Sequence, residues 1–549
     1  MSDIDRPPAG PRAPDDSAQT RVVRSAGAFG TATLASRALG MVRDMVIAAV
    51  FSAWATDAFF VAFTIPNVLR RLLGEGSLNA AVVPVYTEVG VRGSDRESVR
   101  FVRVMLGAWL LVLLLVCAAG VALAPWLVRI YAWGFADDPR KLELTVILTR
   151  VMFPYILFMG LVALSTGVLN VHGRFFVPAF SPFFWNLAMI ASALLASGPL
   201  AARGVPPVMS IAAGVVLGGL LQVLWQLPAL ARVGRLVRPV LSPGDPELRK
   251  VARLMLPMTL GYGIYQVDVL LSRLFASFLP EGSVSYLYYG MRVVDLPQAV
   301  FLLAIGTAVL PELSRAAAEH RPEDLRRSYG RALGLSLFVA LPATVGIVVL
   351  ARPIVSVLFL RGRFDLAMLE QTSLALMCMA PGIVGTAGVR VTMPAFFAQA
   401  DTRTPTVIGA VNLAVYVAAC LALMGPLQHL GLALALSIAP LTQFGQLAVA
   451  LRRRVGPLGL RSVGRAVARS SAGCAVMGGA VWLLARPGRW DDPGRIALNA
   501  VLLLGCVAAG AALYAAVTYL LGAPELEEIA AALRRRASRQ GPSSGGGSG

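Results

Sequence analysis

Thr56 to Gly76 reads TDAFFVAFTIPNVLRRLLGEG. After Asp57 the stretch is apolar, it breaks at Pro66–Asn67, and it closes on Arg70, Arg71 and Glu75. The apolar pattern resumes at once and runs on to about residue 90. At about 1.5 Å of rise per residue, a helix of that length crosses about 30 Å of hydrocarbon. Runs of the same kind recur along the whole chain. Bounded by Gly, Pro and charge clusters, they fall at 27–53, 56–90, 102–131, 144–171, 175–199, 206–231, 247–279, 283–316, 327–359, 367–399, 404–425, 428–451, 463–486 and 494–521. The expected fold class is an all-α polytopic membrane protein with about fourteen transmembrane helices.

Composition agrees. Of 549 residues, 57% are apolar and 14% charged, where soluble proteins carry about a quarter charged residues. Mean hydropathy is +0.70, which excludes an ordinary globular domain. Lys plus Arg number 49 against 30 Asp plus Glu, a net charge of +19. Nucleic-acid binders share such basicity but not repeated apolar runs, so no nucleic-acid partner is expected. Lysine occurs only at Lys141 and Lys250. Arg codons in a GC-rich gene explain that preference better than phosphate chemistry does, so position must carry the argument. Cys117, Cys378, Cys420, Cys474 and Cys506 are scattered in apolar segments, and His172, His320 and His429 are isolated. No metal site and no disulfide is read from them. No P-loop is present, so ATP hydrolysis is not expected.

Basic residues set the topology. Arg92, Arg96 and Arg100, then Arg232, Arg235, Arg238, Arg249 and Lys250, then Arg315, Arg321, Arg326 and Arg327, and finally Arg452, Arg453 and Arg454 follow even-numbered segments. Loops after odd segments are short or of mixed charge. The positive-inside rule then places both termini in the cytoplasm of a multi-pass plasma-membrane protein. The expected organisation is a disordered tail over 1–26, an N-lobe of six helices over 27–231 and a cytoplasmic loop over 232–246. A C-lobe of six helices over 247–451, two further helices within 452–521 and a basic tail over 522–549 follow. No cleavable signal peptide is read, because the first apolar segment is too long and holds Arg37 and Arg43. Arg534, Arg535 and Arg536 sit on an amphipathic stretch suited either to anionic lipid or to plain solvation.

Ala58 to Pro84 and Ser285 to Pro311 share a spacing: a small residue and aromatics at the start, a small-apolar-apolar-Pro sequence at the end. The copies stand six segments apart and so share one orientation. That is the pattern of a parallel repeat, two six-helix lobes around a central cavity, with the last two helices outside it.

Charges inside apolar segments carry the functional reading, since each is costly unless paired or facing water. The first segment holds Arg37, Arg43 and Asp44; Arg37 and Asp44 are seven apart, on one helical face. The second holds Asp57, Arg70, Arg71 and Glu75. The eighth holds Arg292 and Asp295, and the tenth holds Arg390. Two readings stand side by side. These charges snorkel from helix ends or form ion pairs that only hold the lobes together. Alternatively, surplus arginine near helix breaks binds an anion, since guanidinium forks hold phosphate oxygens bidentately. On the second reading the nearby acids pair the arginines when the site is empty.

Ser36–Arg37–Ala38–Leu39–Gly40, Arg43–Asp44 and the Thr56–Gly76 stretch resemble the N-terminal signature of the MurJ (MviN) family, lipid II flippases of the MOP exporter superfamily. FASFLPEGSVSYLYYGMRVVDLP (Phe275 to Pro297), GTAVLPELS (Gly306 to Ser314), LFLRGRFD (Leu358 to Asp365) and PAFFAQADTRTP (Pro394 to Pro405) agree with it, and the resemblance covers about residues 28–520. It implies fourteen helices and a transporter rather than an enzyme. It also implies a role in peptidoglycan synthesis. By that resemblance Arg37, Arg43, Arg70 and Arg292 bind the diphosphate of lipid II, and Asp44, Asp57 and Asp295 are the acids of ion pairing and gating. Arg71, Glu75 and Arg390 are accessory candidates, and the last two helices form a groove for the lipid tail. Some members hold sodium between the seventh and eleventh helices. Asp268 and Asn412 are the candidate ligands here, but Tyr416 stands where a second carboxylate is needed.

The expected function is therefore a flippase moving the undecaprenyl-diphosphate-linked glycopeptide from inner to outer leaflet by alternating access. No cofactor is expected. Coupling would be to Na+, to H+ or to membrane potential, and the partners would be the lipid substrate, membrane lipids and cell-wall synthesis proteins. The rivals are an exporter of another lipid-linked oligosaccharide and a MATE-like drug or cation antiporter. The cation antiporter would need acids facing a neutral cavity.

Overall fold

The structure is a computed structural model and describes residues 16–298, 313, 315, 322–458 and 460–529. Among the described residues every regular element is helical, and nine helices are long and apolar enough to cross a membrane. Leu195, Leu498, Val501, Leu504 and Leu520 stand more than half exposed on such helices, an outward apolar surface that suits lipid and not water.

The chain divides into two compact units. Unit 1 comprises residues up to Val50, Val61–Ile130 and Arg140–Val267. It contains α1 (Asp16–Val50), most of α2 (Ala53–Arg70), a six-residue π-helical turn (Arg71–Gly76), α3 (Ser77–Arg92) and α4 (Asp95–Tyr131). Next come α5 (Pro139–Met152), α6 (Tyr155–Val171), α7 (Phe176–Ala202) and α8 (Met209–Arg232). The first part of α9 (Pro246–Ser277) also belongs to it. Pro66 removes an amide from the ladder of α2, and the wide turn that follows places Arg71 outside the straight run. The core gathers Leu78, Val82, Val85, Trp109, Leu113, Phe153 and Ile156, and the Trp109 indole donates to the Gly160 carbonyl at 3.0 Å. α7 packs on both α1 and α8.

Unit 2 comprises Phe51–Phe60, Tyr131–Pro139 and the chain from Asp268. After α9 come α10 (Ser283–Pro297), α11 (Pro322–Phe359), α12 (Leu366–Met379) and α13 (Gly382–Phe397). Then follow α14 (Arg403–Val455), α15 (Leu460–Ala485) and α16 (Ile496–Leu520). α14 counts 53 residues, about 80 Å if straight. Yet the Arg454 guanidinium donates to Asp401, just before its start, at 2.5 Å. The helix therefore folds back on itself, and the fold lies at Gln428, whose φ of 51° and ψ of −130° are not helical. α14 is thus two helices that meet at a kink, which lies where the sequence separates the segments 404–425 and 428–451.

The expected first, second, seventh and eighth segments are not among the nine. They hold Arg37, Arg43, Asp44, Asp57, Arg70, Arg71, Asp268, Arg292 and Asp295, and those charges depress their hydropathy. The eighth also runs past Gln298, outside the described residues, as does the second copy of the repeat. α1 begins at Asp16, inside the stretch expected to be a tail, while residues 1–15 and 530–549, with Arg534 to Arg536, lie outside the described residues.

Candidate functional site

In unit 1 the site is built on α1. Arg43 and Asp44 are both buried, and adjacent residues on a helix can share a bond only by turning their side chains together. The guanidinium does so: its Nε and Nη2 donate to Asp44 Oδ1 at 2.9 and 2.7 Å. Its Nη1 donates to Asn186 Oδ1 of α7 at 2.9 Å, and it lies 4.8 Å from the centroid of the Trp185 ring. Asn186 in turn donates to the Ser36 carbonyl at 3.1 Å. The guanidinium is thus held by a carboxylate, an amide and an aromatic face together.

The other predicted residues of this unit are placed differently. Arg37 is exposed, one helical repeat from the buried Asp44. Arg70 is half-buried at the end of α2 and donates from Nε to Asn67 Oδ1 at 3.1 Å. Arg71 is exposed at the start of the π-helical turn, and the side chain of Glu75 lies outside the described residues.

In unit 2 the turn before α10 organises the site. Gly282 holds φ at +89°, a left-handed conformation suited to glycine, and starts α10. The buried Asp57 carboxylate meets the amides of that first turn: Oδ2 accepts from Gly282 N at 2.7 Å and Oδ1 from Ser285 N at 2.9 Å. The Ser285 hydroxyl donates to Oδ1 at 2.7 Å and lies 2.7 Å from the Thr56 hydroxyl. A carboxylate against the positive end of a helix satisfies amides that have no partner within it.

Two turns further along α10, Arg292 is half-buried, and its Nε and Nη2 donate to the Tyr288 hydroxyl at 3.2 and 2.8 Å. The Tyr288 ring stacks on Phe60 with centroids 3.7 Å apart. Asp295 is exposed and Arg390 half-buried in α13. Asp268 is exposed on α9, and it acts electrostatically on Tyr416 and Cys420 of α14. The Asn412 amide oxygen accepts from Thr442 at 3.2 Å; among the described residues no hydrogen bond joins it to Asp268. One carboxylate, with a phenol in place of a second, is a weak donor set for Na+, a cation that favours several oxygen ligands.

Sequence reasoning missed four participants. Asn186 and Trp185 lie far from Arg43 in sequence and carry no local signal. Tyr288 belongs to the Tyr286–Leu287–Tyr288–Tyr289 run, legible as aromatic but not as a platform. Arg273 lies one turn before the end of α9, where an arginine reads as a helix-end charge. Its Nη1 donates to the Val284 carbonyl at 3.1 Å, and its guanidinium lies 5.6 Å from the Tyr288 ring centroid.

Long apolar helices around a guanidinium buried on carboxylate, amide and aromatic partners define a polytopic membrane transporter. Solved structures agree on the fold. A structure described as "Lipid II flippase MurJ, inward closed conformation" superposes with a TM-score of 0.72 at 22% identity, covering 90% of this chain and 98% of that one. An inward-facing MATE multidrug transporter of the MOP superfamily superposes with a TM-score of 0.60 at 16% identity, covering 77% and 95%. A family profile described as "Lipid II flippase MurJ" matches residues 47–490. The probable lipid II flippase MurJ of Vibrio cholerae is 33% identical over 521 residues, 93% of this chain and 98% of its own. The chain belongs to the MurJ family of lipid II flippases.

Proposed function

We propose that this protein flips lipid II from the inner to the outer leaflet of the bacterial plasma membrane by alternating access, its arginines binding the diphosphate. The observation that carries the reading is Arg43: a buried guanidinium whose partners include the adjacent Asp44 and the neutral Asn186 and Trp185. A diphosphate oxygen can replace Asp44 on the same two nitrogens without moving the arginine. Exchange between carboxylate and phosphate would let the site alternate between empty and loaded states. Arg292, held by the Tyr288 hydroxyl, offers the same chemistry in unit 2. Arg37, Arg70 and the accessory Arg71 and Arg390 supply further positive charge.

The loop charges support cytoplasmic termini, with lipid II taken from the cytoplasmic leaflet. Export of net negative charge from a negative-inside cell gains about 2.3 kcal/mol per charge per 100 mV, so membrane potential suffices as a driving force. A cation antiporter would place carboxylates where this chain places arginines. The test is flipping of fluorescent lipid II in proteoliposomes with an imposed potential. Arg43→Ala and Arg292→Ala should each slow flipping at least about tenfold, and collapsing the potential should slow the wild type. Undiminished flipping by both variants overturns the arginine site; indifference to potential overturns the coupling.

A further inference from the structure

Arg273 lies outside the set Arg37, Arg43, Arg70 and Arg292, and its surroundings ask for a role. It stands on the part of α9 that belongs to unit 2, where Tyr131, Tyr288, Tyr416 and Asp57 act on it electrostatically. Among the described residues it forms no ion pair. Asp57, the acid that acts on it, already accepts from the Gly282 and Ser285 amides through both oxygens. The one hydrogen bond from Arg273 among the described residues goes to the Val284 carbonyl, a neutral acceptor. A snorkelling helix-end arginine would turn outward; this one turns toward α10.

A second guanidinium shares its platform. The Arg292 carbon lies 5.0 Å from the Tyr288 centroid and that of Arg273 lies 5.6 Å from the same centroid. Phe60, stacked on that ring, fixes its plane. Two cations beside one ring repel each other, more so where water is scarce. An anion carrying two charges relieves that repulsion and satisfies the Arg273 donors that the Val284 carbonyl leaves over.

We infer that Arg273 and Arg292 form a two-arginine clamp for a diphosphate, with Tyr288 as the shared platform, and that Arg273 is a substrate-binding residue of this transporter. The inference rests on the reading that the transported lipid carries a diphosphate. It adds a specificity: the clamp favours a diphosphate over a monophosphate on the same lipid tail, because only the former presents a phosphoryl group to each guanidinium.

The test is equilibrium binding to the full-length protein in phosphatidylcholine nanodiscs, with lipid II, undecaprenyl phosphate and undecaprenol as probes. Arg273→Gln keeps a donor for the Val284 carbonyl but removes the charge. It should weaken lipid II binding about tenfold or more and undecaprenyl phosphate binding less than about threefold. Equal loss for both phosphorylated lipids marks a structural role and overturns the clamp; wild-type binding of both overturns it too. In the unmodified protein, lipid II should protect Arg273 from phenylglyoxal, read by peptide mass spectrometry, and undecaprenol should not. Absence of protection overturns the clamp even if the variant does not fold. Should wild-type protein bind undecaprenol as tightly as lipid II, the diphosphate reading itself fails, whatever Arg273 does.

Discussion

Asp57 and Ser285 are joined twice: one carboxylate oxygen of Asp57 accepts from the Ser285 amide at 2.9 Å and from its hydroxyl at 2.7 Å. With the Gly282 amide on the other oxygen, Asp57 closes the first turn of α10 from outside that helix. Asp57→Ala leaves buried donors without an acceptor, at about 1–3 kcal/mol for each group. The expected outcome is a clearly lowered midpoint of thermal unfolding in detergent. Asp57→Asn, which keeps one carbonyl oxygen, should fall between the variant and the wild type. An unchanged midpoint for Asp57→Ala would show that the carboxylate does not hold this turn.

Arg43 and Asp44 allow structure and transport to be separated. Removing only the arginine takes the bidentate guanidinium partner from a buried carboxylate, a loss of about 3–5 kcal/mol. Removing both charges together should recover most of that stability. If Arg43 also binds substrate, the double variant Arg43→Ala with Asp44→Ala unfolds close to the wild-type temperature and still does not flip lipid II. Recovery of flipping along with stability would reduce Arg43 to a structural ion pair. Circular-dichroism melting and a proteoliposome assay on one preparation decide between these.

Those two residues also show how far the sequence could be read. The apolar runs announced the helices, because a 20-residue span against hydrocarbon needs a composition that soluble proteins lack. Arg43 and Asp44 were legible because they are neighbours inside such a run. Asn186 and Trp185 were not, since their approach to Arg43 is set by the packing of α7 on α1 and leaves no local mark. Asp57 reads as a partner for arginine; its bonds to the Gly282 and Ser285 amides depend on a turn far along the chain. Arg273 is not legible, because a charge near a helix end has an ordinary explanation and only its direction sets it apart. The fold at Gln428 was visible in outline, as a gap between two apolar runs, though a helical backbone spans nearly all of it.

That fold carries a prediction of its own. Beyond it, a Cβ on Gly431 would stand 2.3 Å from the Leu423 carbonyl oxygen, a backbone atom that cannot swing aside. Gly431→Ala should therefore force the two halves of α14 apart and cost about 1–3 kcal/mol, as overpacking does. Gln428 is the opposite case. Its φ of 51° is strained for a residue with a Cβ, so Gln428→Gly should raise the unfolding midpoint or leave it unchanged. A loss of stability at Gln428→Gly would mean that its side chain, and not its backbone, holds the fold.

The two ends of α14 meet at Asp401, which makes stability there depend on pH. The Thr404 side chain and then its amide, which donates to Oδ1 at 3.0 Å, hold the Asp401 carboxyl below the usual carboxylate range, and Arg454 adds to this. A depressed carboxylate favours the folded state once the unfolded chain has also lost its proton, and that advantage disappears as pH falls through the folded value. Wild type should thus exceed Asp401→Ala by about 1 kcal/mol near neutral pH, the usual size of a lost helix cap. The gap should close progressively below about pH 4, where a free aspartate takes up its proton. Thermal melts of both proteins from pH 3 to pH 7, on the order of five points, decide the matter. A gap that stays constant across that range would assign the effect to packing at Asp401 and not to its charge.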